Sequence, residues 1–384
     1  MNDKIIEVER RGSDSVKWEL YGDDVLPLWV ADTDFRSPEA VIDALHKRVE
    51  HGVFGYPLDP PELGELVSER MQTLYGWRVS AKDMLFLPGV VSAFNLVCQT
   101  MTRPGESMLV QPPVYPPILE AAKNASARSI QCELVRQEDG SYEVDFDALE
   151  AAIKLDTRCL LLCNPHNPVG KVFSADELGR LAEICLRHHM LLISDEIHSD
   201  LIFSGNCHTP VAALSPEVSK NTVTLIAPSK TFNIAGLECA VLICEDQDLL
   251  KKIDNSRRGL LGHVNVLGLT AGVAAYQHGG EWLTGMLTVL QENRDFLGEF
   301  LEKRMPEIKM RNPDATYLAW LDCRALNLNE NVFKFFLKNA RVALNSGEDF
   351  GPGGEGFVRL NFGCSRDTLR QALERMESAI RAVK

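Results

Sequence analysis

Three short unbroken apolar runs, each closed by polar residues, constrain this chain more than any other feature. Cys159-Leu-Leu-Leu-Cys163 precedes Asn164-Pro-His-Asn-Pro-Val-Gly170, Met190-Leu-Leu-Ile-Ser194 precedes Asp195-Glu196, and Thr222-Val-Thr-Leu-Ile-Ala-Pro228 precedes Ser229-Lys230. Runs of this length between turn residues fit strands buried on both faces. Periodicity alone does not exclude a helix, but length and flanking residues favour a strand. Open α/β sheets bind ligands beyond the carboxyl ends of their strands. Parallel pairing of the three would therefore bring Asn167, Asp195 and Lys230 to one crevice.

The residue types at these stops suit one cofactor chemistry, that of pyridoxal 5'-phosphate. A lysine amine forms an imine with an aldehyde and later, once released, can move a proton; both tasks need a depressed pKa, which burial and nearby cations supply. An aspartate facing a pyridine nitrogen keeps it protonated and makes the ring a better electron sink. Asn167 can donate a hydrogen bond to the ring's phenolate oxygen. The plainer readings are a helix cap for Asp195, an Asn-Pro turn for Asn167 and a solvated loop for Ser229-Lys230.

A phosphate site follows from local pattern. Met84-Leu-Phe-Leu87 reads as a strand, Pro88-Gly89 as a turn, and Val90 to Met101 as a helix with a repeating apolar face. A helix start offers free amides and a positive dipole end to an anion, which makes Val90 and Val91 the expected amide donors.

The ordered set Asn164-Pro-His-Asn-Pro-Val-Gly170, Asp195-Glu-Ile-His198, Ser229-Lys-Thr-Phe-Asn233 and Arg359-Leu-Asn361 resembles the fold-type I pyridoxal phosphate enzymes, the aspartate aminotransferase superfamily, over nearly the whole chain. Within it, Trp29-Val-Ala-Asp-Thr-Asp-Phe35, Phe54-Gly-Tyr-Pro57, Asp195-Glu-Ile-His-Ser-Asp200 and Phe232-Asn-Ile-Ala-Gly236 resemble the MalY/PatB group of cystathionine β-lyase and cystalysin-like C–S lyases. The resemblance implies an α/β fold with a mainly parallel seven-stranded sheet in a large domain and a smaller α+β domain. It makes Lys230 the lysine joined to the cofactor, Asp195 the pyridine-nitrogen partner, Asn167 the phenolate donor and Tyr115 the residue stacked on the ring, with Ser229 beside them. Arg359, with the Ala31 backbone amide, would hold the substrate carboxylate, and a planar guanidinium suits that bidentate task. Tyr56 would reach the phosphate of the neighbouring subunit, so a homodimer is implied.

Departures from the aminotransferase pattern are informative. Ala227 stands where a small hydroxyl residue is usual and Glu238 where an arginine is usual, so the phosphate must rest on other groups. His198 replaces a frequent tyrosine; it belongs to the cofactor wall, with a role as a fixed polar packing residue favoured over one as a proton shuttle. These departures agree with the C–S lyase group. The implied activity is α,β-elimination of L-cystathionine or a related cysteine S-conjugate to a thiol, pyruvate and ammonia. The rivals are a class I/II aminotransferase and a regulatory protein that binds pyridoxal phosphate.

Other signals carry less. Gly351-Pro-Gly-Gly-Glu-Gly356 matches G-x-G-x-x-G but precedes a strand-like run instead of following one, which argues against a nucleotide site. His188-His189 falls in an expected helix, where adjacent residues do not share a face. Ten cysteines without a C-x-x-C pair read as reduced, buried residues, with no metal site expected. A formal net charge of −14 opposes general nucleic-acid binding. No apolar run approaches the ~18 residues of a membrane span, and no basic leader is evident, so a cytoplasmic protein with a small amino-acid substrate is expected. Strand and helix signals alternate from about Ala44 to Gly280, and from Glu281 a long amphipathic helix begins. The expected division is 44–280 for the large domain and 1–43 with 281–384 for the small one.

Overall fold

In a computed structural model describing residues 5–383, the three apolar runs are neighbouring parallel strands. The main sheet comprises β1 (Met84–Leu87), β2 (Ser107–Val110), β3 (Arg128–Gln131), β4 (Thr157–Cys163), β5 (Leu191–Asp195), β6 (Thr222–Ile226) and β7 (Ala240–Ile243). Their spatial order is β1-β7-β6-β5-β4-β2-β3, and β7 alone runs against the others. Register is explicit at the centre: Cys163 pairs with Asp195, and Asp195 with Leu225. Three strand ends are thereby brought level.

Side-chain alternation explains why the run Cys159–Cys163 of β4 is apolar throughout. Cys159, Leu161 and Cys163 face one helical layer that includes Phe94 and Val97, whereas Leu160 and Leu162 face another that includes Leu178 and Leu181. A strand covered on both sides has no face left for water. Helix α1 (Glu39–Glu50) precedes the sheet, and α2 (Val90–Met101) has the bounds its sequence predicts. Helix α3 (Ala175–Arg187) starts with a capping box in which Ser174 Oγ accepts from the Glu177 amide and the Glu177 carboxylate accepts from the Ser174 amide.

Helix α3 ends before the double histidine. His188 follows as the cap and its Nε2 donates to Glu150 Oε1 at 2.9 Å, while His189 turns to φ 54°. The expected helical placement of His188-His189 is corrected accordingly: a left-handed turn stops the helix even though no glycine marks it.

After α4 (Val266–His278), helix α5 (Gly280–Arg304) leads to an antiparallel sheet of β8 (Leu318–Asp322), β9 (Asn345–Ser346) and β10 (Phe357–Asn361), in the order β8-β10-β9. Helix α6 (Arg366–Val383) covers it with Leu369, Ala372, Leu373, Met376 and Ile380, an i, i+3, i+4 stripe. A separation drawn between residues 43 and 44 cuts α1, and α1 packs along α4 through a shared apolar cluster. No helix among the described residues is long and apolar enough to cross a membrane.

Candidate active site

A cavity of about 280 Å³ opens at the carboxyl ends of β4, β5 and β6. Asn167, Asp195 and Lys230 all line it, as do Tyr115, His198 and Ser229. Each arrives by a local break in structure. Asp195 is the last residue of its strand; Lys230 sits in the single helical turn Pro228–Thr231, whose N-cap is Ala227. Tyr115 is the N-cap of the helix Pro116–Asn124, and its amide donates to the Asn167 carbonyl at 3.0 Å.

Asp195 is 3% exposed, and its Oδ1 accepts from the Ile197 amide at 3.2 Å. No cation lies within 4 Å of it among the described residues. Burial raises its pKa to about 7, with the neighbouring Glu196 charge adding to the rise and Lys230 opposing it. Lys230 is pushed down to about 8, chiefly by burial. Its Nζ donates to the Ala31 carbonyl at 2.7 Å, and Tyr317 Oη donates to the same oxygen at 3.0 Å. Burial drives His198 down to about 3, so its ring is neutral, and its Nδ1 has no hydrogen-bond partner.

Arg359 stands one residue behind the wall. Its Nη1 donates to Asn167 Oδ1 at 3.0 Å, and Nη2 donates to Asn345 Oδ1 at 2.6 Å and to the Trp29 carbonyl at 2.9 Å. Its Nε is buried without a partner, and burial lowers its pKa to about 10. Because Asn167 Oδ1 accepts from the guanidinium, the amide nitrogen is the donor left for a ligand.

Gly89, at φ 96°, turns the chain from β1 into α2. The first intrahelical bond runs from the Ala93 amide to the Gly89 carbonyl, so the amides of Val90, Val91 and Ser92 precede the helix's own ladder. All three residues line the cavity. Ser92 was missed in the sequence, although its place as the third helical residue marked it. Glu238 and Ile197 also line the wall, whereas Ala227 does not. Tyr56 is fully exposed and away from this cavity within the single chain.

The site offers an unpaired carboxylate, an amine, a free amide nitrogen and a helix start at one crevice. A phosphorylated pyridine aldehyde fits that donor set. The match of residues 23–376 to the aminotransferase class I and II family decides the kinship. The chain belongs to that family.

Similar proteins cover it end to end. Cystathionine beta-lyase PatB of Bacillus subtilis (strain 168) is 43% identical, over 97% of this chain and 98% of the relative. The crystal structure of cystalysin from Treponema denticola, which contains a pyridoxal 5'-phosphate cofactor, has a TM-score of 0.96 at 34% identity and covers 100% of both chains. The pyridoxal phosphate-bound C–S lyase from Staphylococcus hominis has a TM-score of 0.92 at 32% identity, with 98% of each chain covered.

Proposed function

We propose that this family member is a pyridoxal phosphate-dependent C–S β-lyase that cleaves L-cystathionine or a related cysteine S-conjugate. The observation that carries the reading is the meeting of Asn167, Asp195 and Lys230 on one cavity, with Arg359 bonded to Asn167. Names of the similar proteins favour the lyase over the aminotransferase.

When bound, pyridoxal phosphate would supply an electron sink that makes the Cα proton of an amino acid acidic. Residues of this chain supply the rest. Amides of Val90, Val91 and Ser92 hold the phosphate at the positive end of α2. Asp195 would keep the pyridine nitrogen protonated, Asn167 would donate to the phenolate oxygen, and Tyr115 would hold the ring, with Ser229 and His198 completing the cavity wall. Arg359 grips the α-carboxylate. The Ala31 carbonyl holds the freed Lys230 amine, and at a pKa near 8 that amine is basic enough to take the Cα proton. Loss of the proton lets the Cβ–S bond break, and the sulfur leaves with the bonding pair and takes up the proton from Lys230 to become a thiol. The remaining three-carbon enamine takes up water and yields pyruvate and ammonia.

The active unit in this reading is a homodimer, with Tyr56 reaching the phosphate of the neighbouring subunit. Support comes from the exposed run Val53, Phe54, Tyr56 and Leu58, an apolar stretch that a partner would cover. A large domain, 44–280, and a small domain of both ends are proposed as well, with the first boundary moved ahead of α1 so that the helix stays whole; the separate three-stranded sheet under α6 supports the division. A cytoplasmic setting suits ten cysteines that are all free thiols.

The test is incubation of the cofactor-loaded protein with L-cystathionine and no keto acid. Sustained, equimolar homocysteine and pyruvate are expected. Their absence, with a new amino acid formed once a keto acid is added, would replace the lyase by an aminotransferase.

A further inference from the structure

Lys230 and Arg359 belong to different sheets. Lys230 follows β6 of the seven-stranded sheet and Arg359 lies on β10 of the three-stranded one, and no strand pairing links the two sheets. What bridges them is Trp29–Phe35, a segment whose strand pairing is limited to a single bridge from Phe35 to Glu7.

Backbone bonds tie Asp34 to Gly363 and Val8, each at 3.0 Å, and side chains supply the ties to the rest of the segment. Trp29 O accepts from Arg359 and Ala31 O from Lys230, so one short stretch holds both site cations. Two asparagines secure what lies between and beyond. Asn361 Nδ2 donates to the carbonyls of Val30 and Asp32 at 2.5 and 2.6 Å, while its Oδ1 accepts from the Gly363 amide at 2.7 Å. Asn233 Nδ2 donates to the carbonyls of Thr33 and Phe35 at 3.0 and 2.8 Å, and its Oδ1 accepts from the Thr33 amide at 3.0 Å. Asn361 is two residues past Arg359 on the same strand and therefore on the same face. Asn233 is three residues past Lys230, at φ 56°, a region where asparagine is enriched.

We propose that Asn233 and Asn361 are positioning residues for the reaction: they hold Trp29–Phe35 as a strap that sets the separation and angle between Lys230 and Arg359. The inference rests on the reading above only in assigning these two cations to an amino-acid substrate. Neither asparagine lines the cavity. Each acts through a cation beside it, Asn361 through the carboxylate grip and Asn233 through the base. Small misplacements of reacting groups are costly, on the order of 10²-fold for about 1 Å.

The experiment uses cofactor-loaded Asn361→Ala and Asn233→Ala with L-alanine, which has an amine and a carboxylate but no leaving group. Its affinity is read from the absorbance of the bound cofactor, and the base from exchange of the Cα hydrogen with deuterated water at saturation. Asn361→Ala is expected to weaken L-alanine binding about 10-fold with exchange changed less than about threefold, and Asn233→Ala to do the reverse. Equal proportional losses of both constants in both variants, or no change beyond about threefold in either, would overturn the proposal. Serine at each position, which keeps one hydrogen-bond donor, supplies the same readouts if an alanine variant does not fold. Because L-alanine carries no sulfur, a wild-type protein that exchanges its Cα hydrogen but releases no thiol from cystathionine would sink the lyase reading and leave this test standing.

Discussion

Asp34 and Asp195 are both carboxylates almost closed to water, 2% and 3% exposed, and the chain treats them in opposite ways. Asp34 is met by Lys17 Nζ at 2.9 Å, Arg10 Nη1 at 3.0 Å and Trp18 Nε1 at 2.9 Å. Among the described residues the Asp195 carboxylate accepts from the Ile197 amide alone, and burial raises its pKa to about 7. A buried charge is costly unless paired and hydrogen-bonded. The chain neutralises Asp34 itself, and the fold gains an anchored strap. It gives Asp195 no cation of its own among the described residues, and in the proposed reading a protonated pyridine would take that place.

The largest expected effect lies beside Asp195. Lys230→Ala should keep the fold and lower thiol release from cystathionine by about 10⁴-fold, the upper range for a positioned base. Normal turnover by that variant would remove Lys230 from its role.

The contrast between the carboxylates is sharpest in two further variants. Lys17→Met leaves Asp34 without its fully buried cation and should cost about 3–5 kcal/mol in urea unfolding. Asp195→Asn should leave unfolding unchanged or shifted upward while reducing turnover by about 10²–10³-fold, the scale of a lost electrostatic contact to developing charge. If both variants lost stability equally with turnover intact, the distinction between the two carboxylates would collapse.

A pH series tests the same point without cofactor. Asp195 has a folded pKa of about 7 against the ordinary 3.8 of an aspartate, so the folded state holds more protons across that window. Its contribution to stability is present below about 3.8 and is lost as pH rises through about 7. The thermal midpoint of the cofactor-free protein should therefore show a downward component between these values that Asp195→Asn removes. An unchanged profile in the variant would place the raised pKa elsewhere.

The smallest expected effect is at the phosphate end. Val91→Pro removes one amide in the first turn of α2, where proline is tolerated, and should weaken pyridoxal phosphate binding about 10-fold by equilibrium dialysis, the scale of a charge-assisted bond. Unchanged affinity would show that the Val91 amide does not hold the phosphate.

The parts of the site legible in sequence are those whose signals are local. Apolar runs ending in Asn-Pro, Asp-Glu and Ser-Lys marked strand ends, and Pro88-Gly89 before Val90–Met101 marked a helix start. Asn233 and Asn361 stood inside recognisable motifs, yet nothing nearby announced that both hold Trp29–Phe35. Tyr317 carried no motif at all, and its contact with Ala31 spans 286 positions. The double histidine failed for the converse reason: helical pattern continued past Arg187, while the backbone turned left-handed at His189.

By itself the sequence determined the alternation of strands and helices, the polar stops and the residue types able to handle an amino acid on pyridoxal phosphate, because these depend on neighbours a few positions apart. Only the tertiary structure decided that Arg359 bonds Asn167 across 192 positions, that Lys230 rests on the Ala31 carbonyl, and that Asp195 is buried without a cation while Asp34 has two. Burial and long-range pairing set the cost of each charge, and both arise when distant segments pack.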